Sequence, residues 1–246
     1  MTEPSSFRRL TPLIGVALIC SLAGAGGGIW WQNHFAAVPQ RAAVEKVVHD
    51  YLLEHPEVLP EAMEALQRKD NAKQLAGVRG EVEKAWPGQV LGNPQGKVTL
   101  VEFTDFACTY CRHSVEDVER LISANPDLRV VVRQLPIIAP ESADAARMGL
   151  AAAAQGKYPA FHKAMFAAGR PDKAAIEAAA RAAGVDLARA QKDMADPRFE
   201  SELNRNIELA RQLGFNGTPS WVIGDALLSG AVGEEKLAKA IAAARS

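Results

Sequence analysis

The sequence is short of the side chains that several protein classes require. Only three cysteines occur among 246 residues, so neither a disulfide framework nor a four-cysteine zinc site can be assembled. Charge of one sign is also missing: 28 Lys and Arg face 29 Asp and Glu, for a formal net charge of -1. The totals therefore lack the basic surplus that accompanies nucleic-acid binding, and nucleic acid is disfavoured as a partner. No internal repeat with a period of roughly 20 to 50 residues is present. Apolar side chains are not scarce. At 48% hydrophobic and 23% charged, the composition is that of a globular chain with a sizeable core, too apolar for disorder. At about 150 residues per domain, the length suits one large domain or one domain with an attached segment.

Leu10 to Trp31 carries no charged side chain and follows Arg8 and Arg9. As a signal peptide, this stretch has a basic start, an apolar middle and a small-x-small site at Ala23, Gly24 and Ala25. As an anchor, its 22 residues at about 1.5 Å each can span a bilayer core of about 30 Å, with Trp30 and Trp31 at the interface. Under either reading Arg8 and Arg9 stay in the cytoplasm and everything beyond residue 31 is sent outward. The expected location is periplasmic or extracytoplasmic, either released or held in the inner membrane by residues 10–31. Cys20 lies within the run and reads as a small apolar-type residue. Ile19 immediately before it argues against lipid attachment.

Residues 41 to 86 read as helices. Val44, Val47, Val48, Tyr51 and Leu52 form one stripe at helical spacing, and His55-Pro56 ends it, since proline disfavours helical dihedrals in the residue before it. A second helix begins near Pro60. Leu75, Val78, Val82 and Ala85 follow a 4-3 alternation that fits two uses equally, packing onto the chain's own domain or forming an oligomerisation arm. Trp86-Pro87-Gly88 and Asn93-Pro94-Gln95-Gly96 then punctuate the chain. Val98 to Phe103 and Val130 to Leu135 are short apolar, β-branched runs that read as strands. Between them Val115, Val118, Leu121 and Ile122 share one helical face, giving a βαβ unit with a parallel pair. Residues 142 to 213 are alanine-rich and read as four or five short helices. Trp221 to Ile223 and Ala226 to Leu228 flank a Gly224-Asp225 hairpin turn, and a last helix covers Glu234 to Ala244.

Cys108-Thr109-Tyr110-Cys111 falls where the first strand gives way to its helix. Two cysteines three apart meet on one helical turn, and the unpaired amides and dipole of a helix N-terminus favour thiolate at the first. Cys108 is therefore the expected nucleophile and Cys111 the resolving thiol of thiol-disulfide exchange. Half a zinc site would need a second cysteine pair, and haem attachment would need histidine where Arg112 stands. His113, one position further along, is assigned no catalytic role.

Strand, CxxC, helix, strand, a helical insertion and the string Gly217-Thr218-Pro219-Ser220-Trp221 together resemble the DsbA-like branch of the thioredoxin superfamily, over residues 88 to 246. The resemblance implies that Pro219 is cis and faces the cysteines, and that Thr218 contacts substrate backbone. It places Thr109 and Tyr110 at the substrate surface. It gives Glu102, six residues before Cys108, the part of the buried acid that moves the resolving thiol's proton; a surface glutamate is the competing reading. The Leu52 to Pro60 string LLEHPEVLP, within residues 41 to 86, resembles the N-terminal arm of ScsC-like proteins, which can oligomerise. Thr109-Tyr110 departs from the Pro-His of strong oxidants in the family, which removes a thiolate-stabilising histidine and argues against extreme oxidising power.

The expected architecture is α/β: a thioredoxin fold with an inserted helical subdomain, preceded by a helical arm and a signal or anchor segment. Its divisions are residues 1–31, an arm at 38–87, and a DsbA-like domain at 88–246 with the insertion at about 142–213. The expected activity is disulfide exchange on exported proteins as oxidase, isomerase or reductase, through the redox-active Cys108–Cys111 disulfide without a cofactor. Expected partners are unfolded or misoxidised exported proteins and, from the resemblance, a membrane redox protein. A homo-oligomer through the arm is a further expectation. The competing class is a copper-binding or copper-tolerance protein using the same two cysteines as soft ligands.

Overall fold

The structure, a computed structural model, describes residue 30 and residues 37–245, the side chains of 37–40 excepted. The signal-or-anchor expectation for residues 1–31 and the reading of Cys20 lie outside the described residues. Among the described residues no helix is long and apolar enough to cross a membrane.

The chain divides into two compact units, residues 1–64 and 65–246. In the first, α1 covers Ala37–Glu54 and stops one residue before His55-Pro56, where the proline was expected to end it. Its stripe residues Val44, Val47, Val48 and Tyr51 are all half or more exposed, as are Leu59 and Met63 beyond the break. Helix α2 runs Val58–Ala76 and so continues into the second unit.

The second unit opens with the end of α2 and a short α3, Arg79–Val82. The 4-3 seam is not one helix: it breaks after Ala76, at Gly77 and Val78, a glycine being among the poorest helix formers. Leu75 and Val82 are fully buried against Val101, Phe103, Val131 and Leu209, with Val78 and Ala85 beside them. Of the two uses open to that seam, packing onto its own domain is the one found.

A five-stranded sheet follows in the order β1-β3-β2-β4-β5. Its strands are β1 Val90–Gly92, β2 Val98–Thr104, β3 Leu128–Gln134, β4 Ser220–Ile223 and β5 Ala226–Ser229. β2 and β3 are parallel, joined by α4, Thr109–Ala124, and the other pairs are antiparallel. The edge strand β1 was not foreseen, since three residues carry no alternation to read. β4 and β5 meet at the two-residue Gly224-Asp225 turn, where Gly224 takes φ +52°.

The insertion between β3 and β4 holds α5 Ser142–Ala154, α6 Tyr158–Ala168, α7 Lys173–Ala182, α8 Leu187–Met194 and α9 Pro197–Gln212. Alanine supplies helix propensity throughout, so the divisions come from caps. Asp172, Asp186 and Asp196 each accept a backbone N–H with the side chain at the start of α7, α8 and α9. The final helix, α10, is Glu234–Ala243.

Because strand side chains alternate, β2 presents Leu100, Glu102 and Thr104 to one side and Val101 and Phe103 to the other. The first side is covered by Val118 and Leu121 of α4, Tyr158 of α6, and Leu237 and Ile241 of α10. The second is covered by α2, α3 and α9. This three-layer arrangement sets the N-terminus of α4 at the C-terminal end of the parallel pair.

Candidate active site

Cys108 is the N-cap of α4: its backbone is extended and its sulfur accepts the N–H of Cys111 at 3.3 Å. On the other side the thiol donates to the carbonyl of Thr218 at 3.3 Å. That carbonyl precedes Pro219, and the Thr218–Pro219 peptide is cis. The loop before β4, distant in sequence, therefore lies against the first cysteine. Both cysteines are free thiols in this structure. Cys108 keeps 5% exposure and Cys111 none, while Thr109 and Tyr110 between them face solvent, Tyr110 with 66% of its surface exposed.

Position makes the two thiols unlike. Cys108 is drawn down to about 6, chiefly by the hydrogen bond from Cys111, and further by the side chain of Thr218 and the amides of Cys111 and Tyr110, against the opposing cost of burial. Cys111 is pushed strongly upward, first by burial and then by the neighbouring Cys108 and the charge of Glu102. At neutral pH Cys108 is mostly thiolate and Cys111 a thiol, which is the asymmetry that exchange needs.

Glu102 is 2% exposed in the central strand, paired across to Val132 and Trp221. Burial raises its carboxyl to about 8, with Thr104 opposing and the charge of Cys108 adding to the rise. The competing surface reading is thereby excluded. His113 is exposed.

Two side chains that the sequence did not single out shape the rim. Asp105, 1% exposed, accepts the N–H of Ala107 at 2.8 Å with one oxygen. Its other oxygen accepts the N–H groups of Ile137 and Ile138 at 2.8 and 2.9 Å. It ties the turn leading into Cys108 to a loop whose two isoleucines are about half exposed. A charged residue directly after an apolar strand was the available signal. Arg112 donates to the carbonyl of Gly169, fastening α4 to the loop between α6 and α7.

Residues 99–242 match the DSBA-like thioredoxin domain family. Residues 40–73 match the N-terminal domain of the copper resistance protein ScsC. Among solved structures, a thioredoxin-like oxidoreductase from Silicibacter pomeroyi is 44% identical, with a TM-score of 0.61 over 63% of this chain and 91% of that one. A linker-deletion mutant of Proteus mirabilis ScsC is 30% identical, with a TM-score of 0.64 over 84% and 95%. The Na(+)/H(+) antiporter NhaA 1 of Salinispora arenicola is 28% identical over 158 residues, 63% of this chain, which spans only 24% of that relative's length.

Proposed function

The chain belongs to the DSBA-like thioredoxin domain family of thiol-disulfide oxidoreductases, and we propose that it exchanges disulfides in exported proteins, with Cys108 attacking and Cys111 resolving. The observation that carries this reading is a pair of free thiols on one helical turn, Cys108 capping α4 with its sulfur on the Cys111 N–H and Cys111 fully buried behind it. The Cys108 thiolate attacks a substrate disulfide. One substrate sulfur joins Cys108 and the other leaves as thiolate. The Cys111 thiol then passes its proton to the Glu102 carboxylate and its sulfur attacks Cys108. The Cys108–Cys111 bond forms as the bond to substrate breaks, and the substrate sulfur departs with the electron pair. Run backwards, the same steps oxidise a substrate dithiol.

Thr218 and Pro219 hold the substrate chain, with Thr109 and Tyr110 at its edge. Thr109 and Tyr110 put no histidine between the two cysteines, and the lack of that thiolate-stabilising group favours an isomerase or reductase poise over a strong oxidase. The exposed apolar stripe of α1 and its match to the ScsC N-terminal domain support a homo-oligomer through the arm. Arg8, Arg9 and the uncharged run support a periplasmic site of action, with a membrane redox protein resetting the cysteine pair.

The test is reactivation of a disulfide-scrambled enzyme in redox buffer by residues 26–246, compared with a form lacking residues 37–64. The deletion stops there because Leu75 and Val82 belong to the core of the second unit. Reactivation that depends on the arm supports an oligomeric isomerase. Rapid oxidation of reduced substrate with no reactivation overturns that assignment in favour of an oxidase. The copper reading uses Cys108 and Cys111 as soft ligands; among the described residues no group of three or more His, Cys, Asp or Glu is placed to hold an ion. Tight stoichiometric Cu(I) binding without disulfide turnover is the result that would favour it.

A further inference from the structure

On the face of β2 that carries Glu102 lies a polar group that the exchange reaction as written does not use. Thr104 follows Glu102 on the same face and is paired in register with Gln134 of β3. The Gln134 amide donates to the hydroxyl of Tyr158 at 2.9 Å. Gln89, just before β1, is fully buried with its side chain beside the same hydroxyl. Four polar atoms of this group have no protein hydrogen-bond partner of good geometry: both side-chain atoms of Gln89, Oε1 of Gln134 and Oγ1 of Thr104. A buried polar atom left without a partner is costly, and several in one place is not how a settled core is built.

We propose that Tyr158, held by Gln134, is a positioning residue for the resolving step: its hydroxyl stabilises the ionised carboxylate of Glu102 and so sets how readily Glu102 takes the Cys111 proton. This rests on the reading of Glu102 as the proton acceptor. The titratable groups that face Glu102 are Cys108 and Cys111 from α4 and Tyr158 from α6, with His162 of α6 next to Tyr158 and uncharged at neutral pH. The strands beside it and α10 present Val132, Trp221, Leu237 and Ile241, none of which titrates. Among the described residues no cation is placed against the carboxylate, and the groups named beside it are neutral or acidic. A hydrogen bond to a charged group is worth more than one between neutral groups, so the loss of one hydroxyl should register.

The experiment uses the full chain with Cys108 joined to a reporter peptide by a mixed disulfide, and follows peptide release by Cys111 as a function of pH. In Tyr158→Phe, release at pH 7 is expected to slow about tenfold and the pH midpoint to rise by about one unit. Alkylation of Cys108 in the reduced protein should be unchanged. Gln134→Met, which keeps the side-chain length and removes the amide, should move the midpoint in the same direction and provides the test if Tyr158→Phe does not fold. In a Glu102→Gln background, Tyr158→Phe should add nothing. A midpoint that shifts in Glu102→Gln but stays put in both Tyr158→Phe and Gln134→Met overturns the proposal alone. No change of the profile in Glu102→Gln overturns the assignment of Glu102, and the proposal with it.

Discussion

On one face of β2, Val101 and Phe103 pack against α2, α3 and α9, Phe103 edge-on to Phe215 with ring centres 5.5 Å apart. On the other, Leu100 gives way to Glu102 and Thr104, equally removed from solvent. Polar groups occur on both sides, and the difference lies in how they are partnered. On the Phe103 side Arg133 of β3, 3% exposed, places all of its donors: on the carbonyls of Glu81, Val82 and Lys84, on Glu202 and on Asn206. On the Glu102 side several polar atoms have no protein partner and the carboxyl is raised to about 8. Saturated polarity fastens the fold together. Unsaturated polarity lies on the face that carries Glu102, the group proposed to take the Cys111 proton.

The strongest way to break this contrast is to remove the groups it is built around. Cys108→Ser should abolish disulfide exchange, whereas Cys111→Ser should accumulate mixed disulfides visible on non-reducing gels. Both variants should unfold in denaturant near the wild-type midpoint. Exchange that persists in Cys108→Ser would remove the basis for assigning function to this face at all.

The opposite face should respond in stability instead. Arg133→Met leaves Glu202 and three helix-end carbonyls without their donor and should cost about 3 to 5 kcal/mol in denaturant unfolding. Phe103→Ala should cost a similar amount, about 3 to 5 kcal/mol, through the cavity it opens. Neither should alter the pH at which Cys108 becomes reactive to alkylation. If Arg133→Met moves that pH by a unit or more, the two faces are not separate.

The two faces also differ in how far the sequence reveals them. Phe103 and its neighbours follow from apolar alternation, and the cysteine pair from its position at a strand-helix junction. The seam from Leu75 to Ala85 was legible as apolar spacing, but whether it packed at home depended on contacts with β2 and α9 that no local pattern encodes. Glu102 stood out only as a charge inside an apolar strand. Its companions Gln89, Gln134 and Tyr158 come from three separate segments, and nothing in their spacing couples them. β1 is too short to announce itself.

A subtler separation is in pH. Glu102 has its folded value raised from 4.5 to about 8, so its contribution to stability is full below pH 4.5 and is lost as pH rises through 8. His162, buried beside Phe106, Tyr158 and Phe166, is lowered from 6.5 to about 4 by burial. Its contribution is present above pH 6.5 and is lost as pH falls through 4. Glu102→Gln should therefore flatten the alkaline loss while leaving the acid loss intact, as read by urea midpoints from pH 4 to 9. A variant that loses stability between pH 5 and 8 just as the wild type does would contradict the assigned burial of the carboxyl.

The smallest effect belongs to the rim, where Asp105 shows saturated polarity placed next to reactive groups. Its carboxylate accepts three backbone N–H groups, one from the turn before Cys108 and two from the loop bearing Ile137 and Ile138. In Asp105→Asn one oxygen becomes an NH2 that can only donate, so either Ala107 or the isoleucine pair loses its acceptor. The half-exposed isoleucines would then no longer be tied to the turn that leads into Cys108. Peptide substrates with apolar side chains near the disulfide should show KM raised severalfold, with kcat and Cys108 alkylation little changed, while a small disulfide such as oxidised glutathione should be unaffected. Equal losses for peptide and small disulfide would instead place Asp105 with the groups that control the thiol itself.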